Sequence, residues 1–109
     1  MKLIMAIVNE DRVTDILNAL TSNDIRGITV SDTRGFGNMQ LSGEADDLKL
    51  NKKVKLEIVV SGENYKNLAI DLITENAHEL NKGAGKIFVL PVEEVYRIRT
   101  GERDAEALK

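Results

Sequence analysis

The sequence predicts an α+β domain in which two helices cover one face of a four-stranded sheet. Strict alternation in "KVKLEIVV" indicates a half-buried strand. Two segments with apolar residues at helical spacing indicate amphipathic helices, and each lies between predicted strands. A chain of 109 residues has room for one hydrophobic core, so we expect a single domain over residues 1–109.

The first part of the chain predicts a strand, a helix and a second strand. The apolar run Lys2–Val8 is typical of a buried strand, and Asn9 or Asp11 is a candidate N-cap for the helix that follows. The apolar face of that helix holds Val13, Ile16, Leu17 and Leu20. The β-branched content of "GITVSDTRG" predicts the second strand. A polar stretch of roughly 15 residues then predicts an exposed loop, and loops of this length are usually functional or mobile.

The second part of the chain repeats the strand–helix–strand pattern. The alternating strand places Val54, Leu56, Ile58 and Val60 on one face. The apolar positions of the next helix are Tyr65, Leu68, Ala69, Leu72, Ile73 and Leu80. "NKGAG" ends this helix, Lys86–Leu90 predicts the fourth strand, and Pro91 interrupts its ladder. "VEEVYRIR" adds a short edge strand in this prediction. The order β-α-β-β-α-β is the ferredoxin-like arrangement.

The composition excludes several classes of protein. The chain has no cysteine, so it can form neither a disulfide framework nor a thiolate metal site, and its one histidine, His78, has no second His beside it. The apolar runs are too short to cross a bilayer, and no secretory cleavage pattern follows the N-terminus. A net charge of −3 argues against nucleic-acid binding. We therefore expect a cytoplasmic protein that inserts into no membrane and binds no nucleic acid.

The first and fourth strands suggest self-association. In the first strand, Leu3, Met5 and Ile7 alternate with Ile4, Ala6 and Val8, so both faces are apolar. The fourth strand behaves in the same way, although both helices should cover the same face of the sheet. A second apolar face of this size needs a cover, and we expect a homo-oligomer.

Two motifs suggest anion binding. In "KGAGK", the glycines would let backbone N–H groups approach a phosphate, and Lys82 and Lys86 would add charge, although the spacing is not that of a Walker A loop. Considered alone, this loop is better explained as a helix C-cap with solvated lysines. On a strand, Arg97 and Arg99 of "RIR" would share a face and form a clamp for a polyphosphate. The alternative for "RIR" is a charged strand edge that resists aggregation.

Two further features have weaker signals. "TRGFGNM" contains a Gly-x-Gly that is better explained as a bend at the root of the long loop. Glu57 lies on the strand face that self-association would bury, and a buried carboxylate needs a partner.

Taken together, "IRGITVSDTRGFG", "KVKLEIVV" and "GAGKIFVLPVEEVYRIRTGER" resemble the PII signal-transduction family of the GlnB/GlnK type. The resemblance covers nearly the whole chain. It implies a homotrimer whose sheets face inward, with ATP or ADP bound in the clefts between subunits. It also implies a T-loop at about residues 36–52, a B-loop at about 81–86 and a C-terminal loop at about 100–109. The T-loop would regulate a target protein, such as a membrane transporter or its ATPase subunit.

The resemblance also implies which residues bind the nucleotide. Gly83, Ala84, Gly85 and Lys86 match the phosphate-binding B-loop, and Arg97 and Arg99 match the phosphate-contacting arginines. The positions that match the adenine side and the base of the T-loop are Ile7, Gly27, Ile28, Thr29, Gly35, Gly37, Asn38, Glu57 and Val59. No catalytic residue and no protein-held metal is implied.

The sequence departs from the family pattern at its effector and regulatory positions. In the family, a Gln after "GFG-R" helps hold Mg²⁺ and 2-oxoglutarate, whereas here Asn38 and Met39 follow "GFG" and Gln40 comes one residue late. A thioether is a poor Mg²⁺ ligand, so we expect 2-oxoglutarate sensing to be lost or weakened and leave Mg²⁺ open. Lys53 still matches a 2-oxoglutarate-contacting lysine. The T-loop is short and has no tyrosine for uridylylation.

Three hypotheses follow, and the first is favoured. The chain is a nucleotide-sensing regulator and not an enzyme. The second hypothesis is a slow ATPase in the same cleft, with Glu57 or Glu102 as the base. The third is a structural or metal-handling trimer of the CutA-like shape, which the lack of cysteine and the single histidine disfavour.

Overall fold

The computed structural model describes residues 1–36, 50–79 and 83–109. Its strands are β1 (Lys2–Asn9), β2 (Ile28–Gly35), β3 (Asn51–Val60) and β4 (Gly85–Pro91), and its α-helices are α1 (Val13–Ser22) and α2 (Glu63–Ala77). Short 3-10 helices span Glu10–Arg12 and Asp104–Leu108. The predicted order β-α-β-β-α-β is confirmed.

The strands form one antiparallel sheet in the order β2-β3-β1-β4. β1 lies between β3 and β4, so that Ile4 is opposite both Ile58 and Val89. β2 and β4 are therefore the two edges of the sheet. This topology, with both helices packed on one face, is the ferredoxin-like fold that the sequence predicts.

The hydrophobic core lies between the helices and one face of the sheet. All four apolar residues of the predicted β3 face are buried, and Ile16 and Leu20 of α1 are fully buried. From α2, Ala69, Ile73 and Ala77 complete the core. The alternation in β3 and the helical spacing in α1 are confirmed.

The ends of the helices differ from the prediction. A 3-10 helix precedes α1, and no side chain caps either segment, so the predicted capping roles of Asn9 and Asp11 are wrong. α2 ends at Ala77, and Tyr65 is exposed on its outer side, so Tyr65 does not belong to the core. Leu80 lies outside the described residues.

The predicted edge strand in "VEEVYRIR" is also wrong. After β4 the chain has one isolated pairing, between Tyr96 and Arg103, and a turn follows Arg97. The tail, predicted only as charged residues, holds the 3-10 helix Asp104–Leu108. Pro91 ends β4, but Val92 N–H still donates a hydrogen bond to the Met1 carbonyl (3.1 Å), so the pairing continues for one residue.

The second face of the sheet, which we call the open face, is covered by none of the helices in the described residues. Its strands present alternate residues: Leu3, Met5 and Ile7 from β1, Lys53, Lys55, Glu57 and Val59 from β3, and Lys86, Phe88 and Leu90 from β4. Phe88 and Leu90 keep 45% and 41% of their surface exposed. Apolar exposure on this scale within one patch is typical of an interface. In the part of the chain that the structure describes, no helix is long and apolar enough to span a membrane.

Candidate functional site

The open face has one apolar end and one basic end. At the apolar end, Leu3 of β1 lies between Val59 and Leu90. Two rows further along, Ile7 lies between two lysines, Lys55 of β3 and Lys86 of β4, and Lys53 lies in the row beyond. We call these three lysines the basic end. Three ammonium groups on two adjacent rows of one face form a surface that attracts anions.

Asn9 connects the basic end to the loop before β4. Its side chain is 6% exposed, and its Nδ2 donates a hydrogen bond to the Gly83 carbonyl (2.9 Å). The Lys53 ammonium donates a hydrogen bond to Asn9 Oδ1. Neither Asn9 nor its contact with Gly83 is predicted from the sequence, where Asn9 resembles a helix cap. The sequence feature that could have identified Asn9 is an amide at the end of a buried strand. Its hydrogen-bond partners, however, depend on the register between strands, which the sequence does not reveal.

Gly85 is a glycine because two backbones approach closely there. Its φ is +108°, a conformation that residues with a Cβ rarely adopt. A Cβ at this position would lie 1.8 Å from the Ile7 carbonyl oxygen and 2.9 Å from the Ile7 carbonyl carbon. The helix-cap interpretation of "KGAGK" is wrong for both glycines, since α2 ends six positions before Gly83. Lys82 lies outside the described residues.

A pocket of about 250 Å³ lies between the end of α2 and the start of β4. Its lining includes Ala84, Gly85 and Lys86 from around the start of β4, and Thr74 and His78 from the end of α2 and the residue after it. The rest of its wall is apolar, formed by Val8, Ile73, Ala77 and Ile87. Within residues 1–36, 50–79 and 83–109, no three His, Asp or Glu side chains cluster in a way that could hold a metal ion.

The residues matched to the adenine side lie on the other half of the sheet. Thr29 of β2 is opposite Glu57 of β3, and Ile28 is opposite the core residue Ile58. Gly27, just before β2, has φ +71°, with open space where a Cβ would be. Glu57 is half-buried and has the partner that its burial requires, because Lys55 Nζ lies 3.7 Å from its carboxylate.

Of the residues matched to the base of the T-loop, only Gly35 is described. It ends β2, opposite Asn51 at the start of β3. Gly37 and Asn38 lie outside the described residues, as do Met39 and Gln40.

Arg97 and Arg99 do not lie on a strand, so the predicted same-face clamp is wrong in its geometry. Arg97 Nη1 donates to Glu102 Oε1 (2.8 Å), and its Nη2 donates to the carbonyls of Ala107 and Lys109. Its hydrogen bonds therefore lead to its own C-terminal segment and not to the basic end. Arg99 is exposed in the adjoining turn, which Gly101 completes with φ +74°.

The C-terminal segment is held together by its own contacts. Asp104 N–H donates to the Val95 carbonyl (2.8 Å), and Val95 N–H donates to Asp104 Oδ1 (3.1 Å). The Arg103 guanidinium lies 4.9 Å from the centre of the Tyr96 ring, within the range of a cation–π contact. Glu102 Oε1 accepts hydrogen bonds from Arg97 and from Thr100 Oγ1 (2.8 Å each), so this oxygen of the carboxylate already has two donors.

Tyr96 reports on this segment through its ionisation. Its hydroxyl donates to Glu94 Oε2 (2.7 Å), and this hydrogen bond, with some desolvation and the charge of Asp104, raises the pKa of Tyr96. The chain has two tyrosines, so a Tyr65→Phe variant leaves Tyr96 alone for an absorbance titration. We expect an ionisation midpoint above the usual value of about 10.

The control for this titration adds Glu94→Gln, which should return the midpoint towards the usual value. Because the folded state holds the proton more tightly, this group's contribution to stability is complete below about pH 10 and is lost as pH rises through the folded pKa. A midpoint at or below that of free tyrosine would contradict the Tyr96–Glu94 contact.

The fold and the site define a class: a ferredoxin-like domain with an uncovered sheet face, part apolar and part basic. The profile of the family described as "Nitrogen regulatory protein P-II" matches residues 1–102. The chain belongs to this family of regulatory signal-transduction proteins.

Individual relatives agree with the family match. The chain is 44% identical to a nitrogen regulatory protein P-II homolog of Arabidopsis thaliana, over 95% of this chain and 56% of that protein. It is 39% identical to a nitrogen regulatory protein P-II of Azospirillum brasilense, over 99% of this chain and 100% of that protein. The crystal structure of Arabidopsis thaliana PII bound to citrate is similar, with a TM-score of 0.82 and 43% identity, over 97% of this chain and 90% of that chain.

Proposed function

We propose that this protein senses adenine nucleotides, binding ATP or ADP in the clefts of a homotrimer, and regulates a target protein through its T-loop. The observation that carries the proposal is the basic end of the open face, where Lys86 follows the tight approach of Gly85 to β1. Ammonium groups and loop amides are the donors that phosphates need. The similar structure of Arabidopsis PII is bound to citrate, which is also a small polyanion.

The open face offers different side chains to the two ends of a nucleotide, the base and the phosphates. From Glu57 and Thr29 to Lys53, the open face changes from one carboxylate and one hydroxyl side chain to lysines. Four residues of strand cover roughly 13 Å. In the proposed orientation, the adenine lies beside Glu57, Val59 and Ile7, and the phosphates extend towards the lysines.

The proposed cleft needs more than one copy of the chain. Gly27–Thr29 lie at the β2 edge of the sheet and Lys86 at the β4 edge, with two strands between them. Three strand spacings are roughly 14 Å, so these groups close around a ligand more readily when edges from neighbouring copies meet. The exposed apolar end of the open face supplies the surface for such an assembly.

Arg97 would exchange or share partners when phosphate binds. It is held by Glu102 and by backbone carbonyls of the C-terminal segment. A polyphosphate offers the guanidinium more charge than one carboxylate does, so it would compete with Glu102. The C-terminal loop, from about residue 100 to 109, would thus respond to the nucleotide. Arg99 is exposed, and in the proposed trimer it would be available to a neighbouring copy.

The proposal does not include catalysis. The two carboxylates considered as bases have other partners, Lys55 for Glu57 and both Arg97 and Thr100 for Glu102. The basic end offers ammonium groups and not oxygen ligands, so Mg²⁺ would be held mainly by the phosphates. We further propose a cytoplasmic location, and a transporter or its ATPase subunit as the target.

The variant Lys86→Ala tests the nucleotide proposal. It removes one of three lysines at the basic end, and we expect ATP affinity to fall about tenfold or more, which corresponds to about 1.4 kcal/mol. Calorimetric titration with ATP and with ADP measures this change. Adding 2-oxoglutarate to the wild-type titration should change ATP affinity by less than about tenfold.

The matched control is Lys66→Ala on α2. Lys66 is bound to Glu63 (2.6 Å) on the helix layer, away from the open face. It should leave ATP affinity unchanged. Equal losses in Lys86→Ala and Lys66→Ala would indicate a nonspecific charge effect and reject this site.

A further inference from the structure

The Asn9 side chain is buried, and its amide group can satisfy its two hydrogen-bond partners in only one orientation. An ammonium group can only donate, and a backbone carbonyl can only accept. The Asn9 amide must therefore turn its Oδ1 to Lys53 and its Nδ2 to the Gly83 carbonyl, as the structure has it. Lys53 and Gly83 are far apart in sequence, at the start of β3 and in the loop before β4. One carboxamide thus joins them through the last residue of β1.

The position of this link matters for the phosphate chain. Along β3, Glu57 is two residues from Lys55 and four from Lys53, and all three side chains lie on the open face. With the adenine beside Glu57, successive phosphates extend towards Lys55 and then Lys53. Lys53 is therefore the lysine of the basic end that lies furthest from the adenine, at the place of a terminal phosphate.

A free lysine side chain has several rotatable bonds and is a mobile point charge. The link to Asn9 removes much of that freedom before any ligand binds, and preorganisation of this kind strengthens binding by reducing what must be ordered. The same amide also donates to the Gly83 carbonyl, so Asn9 is hydrogen-bonded to Lys53 and to Gly83 at once.

We propose that Asn9 is a positioning residue that holds Lys53 for the terminal phosphate of a nucleoside triphosphate. The pair then favours a triphosphate over a diphosphate, because only the longer chain reaches it. This inference rests on the proposed function and adds to it the group that distinguishes the two nucleotides.

The test is a double-mutant cycle with Asn9→Ala, Lys53→Ala and the combined variant, titrated with ATP, ADP and inorganic tripolyphosphate. We expect each single variant to weaken ATP and tripolyphosphate about tenfold and to change ADP less than about twofold. In the Lys53→Ala background, Asn9→Ala should have little further effect on ATP, because its partner is already absent. A merely structural role for Asn9 would weaken ATP and ADP alike and would persist without Lys53.

The control is Lys52→Ala, the exposed neighbour of Lys53 that faces the other side of the sheet. It should leave the ATP-to-ADP preference unchanged. If Asn9→Ala does not fold, Asn9→Asp replaces it: the carboxylate pairs with Lys53 and competes with phosphate, so ATP should again weaken more than ADP. An unchanged ATP-to-ADP ratio in the variant that folds would overturn the inference.

The outcomes separate the inference from the proposed function. If ATP binds but the substitutions of Asn9 and Lys53 change its affinity independently, the inference is rejected and the proposed function is retained. Coupled effects on tripolyphosphate without adenine-nucleotide binding would reject the nucleotide function and retain the Asn9–Lys53 anion site. Binding of neither ligand to the wild type would reject both.

Discussion

Replacing Gly85 with alanine should lower the free energy of unfolding by about 3 kcal/mol or more. The added Cβ would lie 1.8 Å from the Ile7 carbonyl oxygen, and φ at this position is +108°. The carbonyl belongs to the backbone of β1 and the φ angle to the backbone of β4, so no side-chain movement can relieve either obstacle. The start of β4 would have to separate from β1, which also disrupts the loop that holds Gly83. Thermal denaturation at a fixed protein concentration measures the change.

Gly27→Ala is the matched control for this variant. Gly27 also has a positive φ, +71°, but nothing lies within 4 Å of the place that a Cβ would occupy there. We expect a cost of about 1–2 kcal/mol, which is the conformational term alone. Equal midpoints of thermal unfolding for the two alanine variants would contradict the close approach of Gly85 to Ile7.

Replacing Phe88 with arginine should dissociate the expected trimer into single chains. Phe88 is 45% exposed on the open face, opposite Met5, and an interface that buries this surface would bury the new charge without a partner. The wild type should sediment at three times the chain mass of 12.1 kDa, and Phe88→Arg near that of one chain. Analytical ultracentrifugation distinguishes the two.

Tyr65→Arg is the control for Phe88→Arg, because Tyr65 has almost the same exposure, 46%, on the outer side of α2. It should leave the wild-type mass unchanged, since the helix layer has no part in the proposed interface. A wild type that sediments as one chain would contradict the covered open face. A change of mass in Tyr65→Arg alone would place the interface on the helices instead.

Local patterns sufficed for most of the fold. The alternation in β3 and the helical spacing of Ile16 and Leu20 reflect burial against one core, and burial leaves a direct periodic signal. The short apolar runs of β1 and β4, apolar on both faces, also predicted the uncovered sheet face. The ends of the strands and helices were less predictable. An asparagine such as Asn9 can cap a helix or bind a distant lysine, and the sequence does not distinguish the two roles.

The C-terminal segment shows why the prediction of the site was incomplete. Arg97, Ile98 and Arg99 alternate like a strand, but Ile98 is fully exposed and the segment folds back on itself. Positive φ angles at Gly101 and Asp104 let the segment fold back, and the alternation of residue types does not indicate them. The Asn9–Lys53 link depends on strand register, which a single sequence does not specify.

Calorimetric titration of the wild-type protein with ATP is the most direct test of the proposed adenine-nucleotide cleft beside the basic end. We expect saturable binding with one ATP for each chain, and displacement of that ATP by ADP. If the protein sediments as a trimer but gives neither heat nor saturation with ATP or with ADP, the proposed nucleotide site is rejected.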